Sequence, residues 1–254
     1  MATTSISVSV TPLLRYVLQR ADDALILGHR LSEWCGHAPM MEEDMALANM
    51  GLDLIGQARS LYDYAAKLDD HGRTEDEFAY LRDARDFGNL LLLEQPNGDF
   101  AHTMIRQFLY SAFIDLYWRA LMKSSDITLA SIAAKAEKES AYHLRHTAEW
   151  VVRLGDGTQE SHDRAQRGLD RLWPYTGELF EAEDVVLAEI VPDPATLRAA
   201  WLETVTEIIT RSTLRLPQTG WMQKGGRQGV HTEHLGHLLA EMQILPRTYP
   251  GAVW

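Results

Sequence analysis

Residues 127–154 read ITLASIAAKAEKESAYHLRHTAEWVVRL, and the period of this stretch decides the fold. Ile132, Ala136, Glu139, His143, His146 and Trp150 recur every three or four residues, so they share one side of a helix. The stretch ends at Gly155-Asp156-Gly157. The same period governs the segments on either side. Thr11 followed by Pro12 is a cap-plus-proline entry to a helix reaching about Cys35, with Leu14, Val17, Leu18, Ala21, Leu25 and Leu31 on its apolar stripe. After the break Gly36-His37-Ala38-Pro39, a second helix is expected from Glu42 to about Leu68, with Met45, Ala48, Leu52, Ile55, Tyr62 and Ala66 as its apolar positions. A third is expected from about Thr74 to Leu93, stopped by Gln95-Pro96-Asn97-Gly98. A fourth runs from an Asp99 cap to about Lys123. Beyond residues 127–154, another spans roughly Thr158 to Phe180, kinked or shortened by Pro174, and the next enters at Asp193-Pro194 and closes before Pro217. A glycine-rich loop, 224–229, and a short helix around 231–242 complete the chain.

Only SISVSV, residues 5–10, alternates like a strand, and it is too short and too near the terminus to found a sheet. No repeat of solenoid period is present. At least four of the helical stretches exceed roughly 20 residues, against an average near 11–12. Long helices with short connections predict an all-α antiparallel bundle, built as one domain over residues 1–254.

Composition bounds the function. The chain has 254 residues, 46% of them hydrophobic and 24% charged, which excludes a disordered or fibrous chain. With 24 basic against 36 acidic residues the net charge is −12, so nucleic acid and anionic membranes would be repelled. One cysteine, Cys35, allows no internal disulfide and points to a reducing, cytoplasmic setting. The first 20 residues lack the charged and apolar regions of a secretory signal, and no apolar run approaches the roughly 20 residues that span a bilayer.

Several expected helices place polar groups on apolar faces: His29 and Glu33, then Asn49, Asp53 and Gln57, then Asp115, then Glu139, His143 and His146. A buried carboxylate must be paired, hydrated or metal-bound. Di-iron carboxylate bundles use a Glu from each of two helices and a Glu-x-x-His pair from each of two others. Here the residue three after Glu139 is Tyr142, and three after Asp53 is Gly56, so neither helix offers the pair. Glu139 and His143 are four apart, and Lys135, four before Glu139, supplies an ammonium where a cation would otherwise sit. Of only five lysines, Lys135 and Lys138 both lie within a turn of Glu139. A hydrogen-bonded network is the favoured reading. In the tail, His231, His234 and His237 resemble a metal stripe without a second ligand set, and Thr232 is a candidate cap. Lys224 and Arg227, within Lys-Gly-Gly-Arg-Gln-Gly, could contact a phosphate, a CoA or a partner, although a plain connector explains the glycines as well. Trp34, Trp118, Trp150, Trp173 and Trp201 read as core, and Trp221 and Trp254 as a partner surface. No nucleophile-elbow or dinucleotide fingerprint occurs.

Six segments, LSEWCGHAP (31–39), ALANMGLDLIGQAR (46–59), NLLLLEQPNGDFAHT (89–103), KESAYHLRH (138–146), DPATLRAAW (193–201) and GVHTEHLGHLLAEMQ (229–243), together resemble the C subunits of bacterial phenylacetyl-CoA epoxidases, the PaaC family. The resemblance runs in order along nearly the whole chain. It implies a ferritin-like bundle with additional C-terminal helices. It also implies a multicomponent monooxygenase that epoxidises the ring of phenylacetyl-CoA in aerobic phenylacetate degradation. In that assembly the A subunit holds the di-iron site, a reductase with flavin and iron–sulfur centres draws on NADPH, and a small B subunit assists. A chain of this family would pair with the A subunit as a non-catalytic scaffold, itself without cofactor, and could self-associate when alone. Asp53, Glu139, His143 and Lys135 would then be a degenerate relic of a metal site. The competing reading is a metal-binding oxygenase in its own right, using Glu139, His143, Asp53 and Glu33.

Overall fold

The computed structural model describes residues 5–182, 187–218 and 220–252. Among them every regular element is a helix, as the sequence periods require. The chain forms two compact units, one of residues 1–33, 51–96 and 224–254, the other of residues 34–50 and 97–223.

In the first unit, helix α1 (Pro12–Ser32) starts at the expected cap, with the Thr11 hydroxyl accepting from the Leu14 amide at 3.2 Å. Its middle, from Tyr16 to Gly28, is buried on every side. Helix α2 (Met41–Leu68) gives its first turns to the second unit and the rest to the first. Its buried stripe is not the expected one: Met45 and Leu52 are 57% and 66% exposed, while Met50, Leu54, Ala58, Leu61, Tyr62 and Ala65 are buried. Gly51 accounts for the rotation. A Cβ there would lie 3.3 Å from the Gly28 carbonyl oxygen of α1, so the two helices touch at this glycine and Leu52 is turned outward.

The expected helix over 74–93 is broken into three pieces: α3 (Glu75–Tyr80), a 3₁₀ turn (Ala84–Asp86) and α4 (Leu91–Glu94). Thr74 and Glu77 form a reciprocal capping box at its start. Within the last break the amides at 88 and 90 donate to carboxylates of α1 instead of to helix carbonyls. Residues 5–10 add no strand; Ser5, Ser7 and Ser9 are exposed while Ile6, Val8 and Val10 are half-buried. Helix α9 (Glu233–Thr248) runs further than expected, with Pro246 inside its last turn.

The second unit is built on α5 (Phe100–Leu121), capped by Asp99 as expected and buried nearly all round. It packs against α6 (Ile127–Gly155), α7 (Gln159–Leu172) and α8 (Arg198–Arg211). α6 runs antiparallel to α5, since Phe100 meets Trp150 at 5.0 Å between rings and Arg119 meets Glu137 at 3.3 Å. The buried stripe of α6 is Ala133, Ala136, Ser140, His143, Thr147 and Val151; Ile132, Glu139, His146 and Trp150 flank it, half-buried. Small residues on that stripe allow α6 to lie close on α5. Pro174 ends α7, and the chain continues as a 3₁₀ helix (Trp173–Phe180). Trp173 and Trp201 stack at 5.7 Å, and the Trp201 indole donates to the Leu109 carbonyl at 3.0 Å.

Gly155 ends α6 where a Cβ would come within 2.2 Å of the Ser212 carbonyl oxygen. Gly155→Ala is therefore expected to lower stability by about 1–3 kcal/mol in urea unfolding. Gly236→Ala, where nothing lies within 4 Å of a Cβ in α9, should raise it by up to about 1 kcal/mol.

Candidate functional site

The densest polar constellation lies in the first unit. α1 carries two adjacent carboxylates, Asp22 and Asp23, both 0% exposed. Neighbours on a helix point about 100° apart, so each gathers its own partners. Asp22 receives both terminal nitrogens of Arg82, the Tyr62 hydroxyl at 2.6 Å and the Gly88 amide at 2.8 Å. Arg82 is 1% exposed and also donates to the Phe78 and Asp86 carbonyls. Burial, then the Asp22 charge, raises the Tyr62 pKa well above its usual value, so the phenol remains a donor. Asp23 accepts from the Leu90 amide at 2.8 Å and from Arg227 at 2.8 and 3.0 Å, with Arg20 at 3.5 Å.

A third buried carboxylate, Glu94, accepts from Asn89 at 3.0 Å, from His231 Nδ1 at 2.8 Å and from the Thr232 amide at 2.6 Å. It thereby supplies a negative charge to the N-terminus of α9, where Thr232 itself makes no side-chain cap. The other ring nitrogen of His231 lies 2.9 Å from the Phe87 carbonyl oxygen. A carbonyl oxygen only accepts, so the ring nitrogen facing Phe87 carries a proton, and Glu94 on the other side favours the imidazolium. Burial alone would lower its pKa; the hydrogen bond and charge of Glu94 outweigh that and raise it. Arg30 completes the cluster, donating to the Glu94 and His234 carbonyls at 2.8 and 3.2 Å and to the Glu33 carboxylate at 2.6 Å.

Each of these carboxylates is occupied by donors, which suits anchoring rather than acid–base or metal chemistry. The network clips residues 82–94 and the 225–232 segment onto α1. Arg227, expected at a phosphate, instead faces Asp23 and the Gly88 carbonyl, at 2.6 Å to the latter. The glycines around it are not a loose connector. Gly225 and Gly226 are buried, and Gly229, at φ 72°, would place a Cβ 2.2 Å from the Arg85 carbonyl oxygen. Lys224 is exposed. The sequence reading missed Asp22, Asp23, Arg82 and Glu94; its available signal was the Asp-Asp pair within the apolar run Ala21 to Leu25.

Glu139, His143 and Lys135 lie on α6 in the second unit, and Asp53 lies half-buried on α2 in the first. Lys135 Nζ stands 3.8 Å from Glu139 Oε1, on a lysine 69% exposed, so this ion pair is screened and weak. His143 is buried. His146 pairs with Glu43 at 2.9 Å, a partner the sequence reading did not name. Asp115, 3% exposed, has its pKa raised by burial, with Glu137 adding to the shift and Arg119, 3.1 Å away, opposing it. Burial lowers the His29 pKa, and Glu33 is held by Arg30. Among the described residues no three His, Cys, Asp or Glu side chains converge as a metal-holding group. His237 is exposed. Trp118, Trp173 and Trp201 are buried, Trp34 and Trp150 half-buried, and Trp221 is 75% exposed; Trp254 lies outside the described residues.

Removing one partner from a buried pair strands the other charge, so Glu94→Ala and Asp22→Ala should each lower stability by about 3–5 kcal/mol in denaturant unfolding. Two histidines set opposite pH slopes. The raised pKa of His231 stabilises the fold fully below about pH 6.5, and this is lost as pH rises through the folded value. In the second unit His102 is lowered to about 4 by burial and then by the Arg106 charge, so its contribution is present above about 6.5 and falls as pH drops toward 4. His231→Gln should flatten the alkaline loss of stability, and His102→Gln the acid loss, in melting curves recorded across this range.

Among the described residues no helix is long and apolar enough to cross a membrane. The chain is 50% identical over 246 residues to the C subunit of the 1,2-phenylacetyl-CoA epoxidase of Escherichia coli (strain K12), covering 95% of this chain and 99% of that protein. The whole of residues 1–254 matches the PaaA/PaaC family, described as phenylacetic acid catabolic protein, and the chain belongs to that family.

Proposed function

We propose that this chain is the structural, non-catalytic member of a phenylacetyl-CoA epoxidase, a ferritin-like domain that holds the di-iron A subunit in aerobic phenylacetate degradation. The observation that carries this reading is the end-to-end match, 50% identity with 95% of one chain and 99% of the other covered. The donor chemistry supports the non-catalytic part. Asp53 and Glu139 lack the second ligand of a metal pair, and Glu139 has an ammonium 3.8 Å away. In this reading the di-iron centre belongs to the A subunit. NADPH, flavin and iron–sulfur centres belong to the reductase, and the assembly also includes a small B subunit. The net charge of −12 argues against nucleic acid or an anionic membrane as a partner and fits a cytoplasmic enzyme component.

Co-expression with the A subunit tests the proposal: a stable, co-purifying complex is expected, and separate elution of the two chains would end it. Within such a complex Glu139→Ala should leave turnover per assembled complex within about twofold of the parent, since the side chain serves no reacting atom. A selective collapse of turnover, with assembly intact, would favour the oxygenase reading based on Glu139, His143, Asp53 and Glu33.

A further inference from the structure

Two sequence features that the scaffold role leaves unused, residues 5–10 and the glycine-rich loop, line the same cavity in the first unit. Its volume is about 330 Å³, the lower end of the range for small-molecule sites. One wall is a single face of α1, Arg15, Leu18, Gln19 and Asp22, at successive helical spacings. The facing walls come from residues 82–88 and from 227–229. Val8 and Val10 close the apolar side. Their segment is fixed in place: the Ile6 amide donates to the Leu81 carbonyl at 3.0 Å, and Arg73 donates to the Ser7 carbonyl at 2.8 Å.

The charges around this cavity are unequal. Four arginines line it, Arg15, Arg82, Arg85 and Arg227, against the carboxylates Asp22 and Asp86. Arg82 and Arg227 are neutralised by Asp22 and Asp23 and form a rigid base. Arg15 and Arg85 are exposed, and their side chains make no ion pair or hydrogen bond among the described residues. Asp86, also exposed, acts on Arg82 and only partly offsets them. A locally positive cavity thus stands on a chain of net charge −12. Guanidinium groups bind carboxylate and phosphate oxygens in a planar, two-pronged fashion, and the apolar wall favours a ligand that is more than a bare ion.

We propose that this cavity binds a small organic anion, one carboxylate or phosphate group on an apolar body of about one ring, with Arg15 and Arg85 holding the charge and Val8, Val10 and Leu18 the body. The assignment is independent of the scaffold role, since it concerns binding by this chain alone.

Calorimetric titration of the purified full chain with benzoate, phenyl phosphate and inorganic phosphate tests it. At least one of the organic anions should bind saturably in the micromolar to millimolar range, and the preferred anion reports whether the head is carboxylate or phosphate. Phenyl phosphate should bind at least about threefold tighter than inorganic phosphate, reflecting burial of its ring. Arg15→Ala/Arg85→Ala should weaken the preferred anion about tenfold or more, and Val10→Ser should weaken the organic anions while leaving inorganic phosphate unchanged. Both variants alter residues outside the buried network and should retain the parent's melting temperature. The proposal is overturned if neither organic anion saturates below about 10 mM, if the double arginine variant binds as the parent does, or if inorganic phosphate binds as tightly as phenyl phosphate.

Discussion

Asp22 and Asp23 are two negative charges side by side in the middle of a helix that is buried all round. Leaving either unpaired would cost several kcal/mol, a large fraction of the net stability of a domain. The first unit is arranged around meeting that demand. Arg82 and Tyr62 close on one carboxylate, Arg227 and Arg20 on the other, and the amides of Gly88 and Leu90 fill remaining acceptor positions. Those amides hold the non-helical path of residues 88–90 against α1, and Arg227 ties the glycine-rich loop to Asp23. Glu94 then repeats the device one layer on, tying His231 and the start of α9 to the same framework.

Replacing such a lattice with apolar side chains is often neutral or stabilising. Its specific contribution is geometry. A fork of guanidinium on carboxylate admits one orientation, whereas leucine against leucine admits several. Residues 82–94 and 225–232 have little regular structure to define their path, and the ionic contacts supply that definition. This suits a protein proposed to present a fixed surface to another chain, because an interface built on a shifting backbone would lose affinity to ordering entropy.

Local rules were readable in the sequence where they acted alone. The caps at Thr11 and Asp99 and the stop at Pro174 stand where the residue types place them. Readings failed where a distant partner overrode the local period. Met45 and Leu52 fit a helical stripe, yet the close approach at Gly51 turned the helix so that they face solvent. Residues 81–90 could continue a helix by local period, yet the amides of Gly88 and Leu90 turn to carboxylates more than fifty positions away. Arg227 beside three glycines reads as an anion cradle until Asp23 is found within 2.8 Å. The polar stripe on α6 was visible, but its contacts, Glu43 with His146 and Lys135 with Glu139, could not all be named from spacing, because Glu43 arrives from another helix.

Of the acidic side chains that looked like remnants of metal ligands, Glu139 pairs with Lys135 and Glu33 with Arg30. In the proposed role this chain supports chemistry performed on another subunit. The most direct test is metal analysis and oxygen uptake on the chain purified alone after growth with iron. The account predicts iron far below stoichiometric and no oxygen uptake with a chemical reductant. About two irons per chain, with reductant-dependent oxygen consumption, would contradict it.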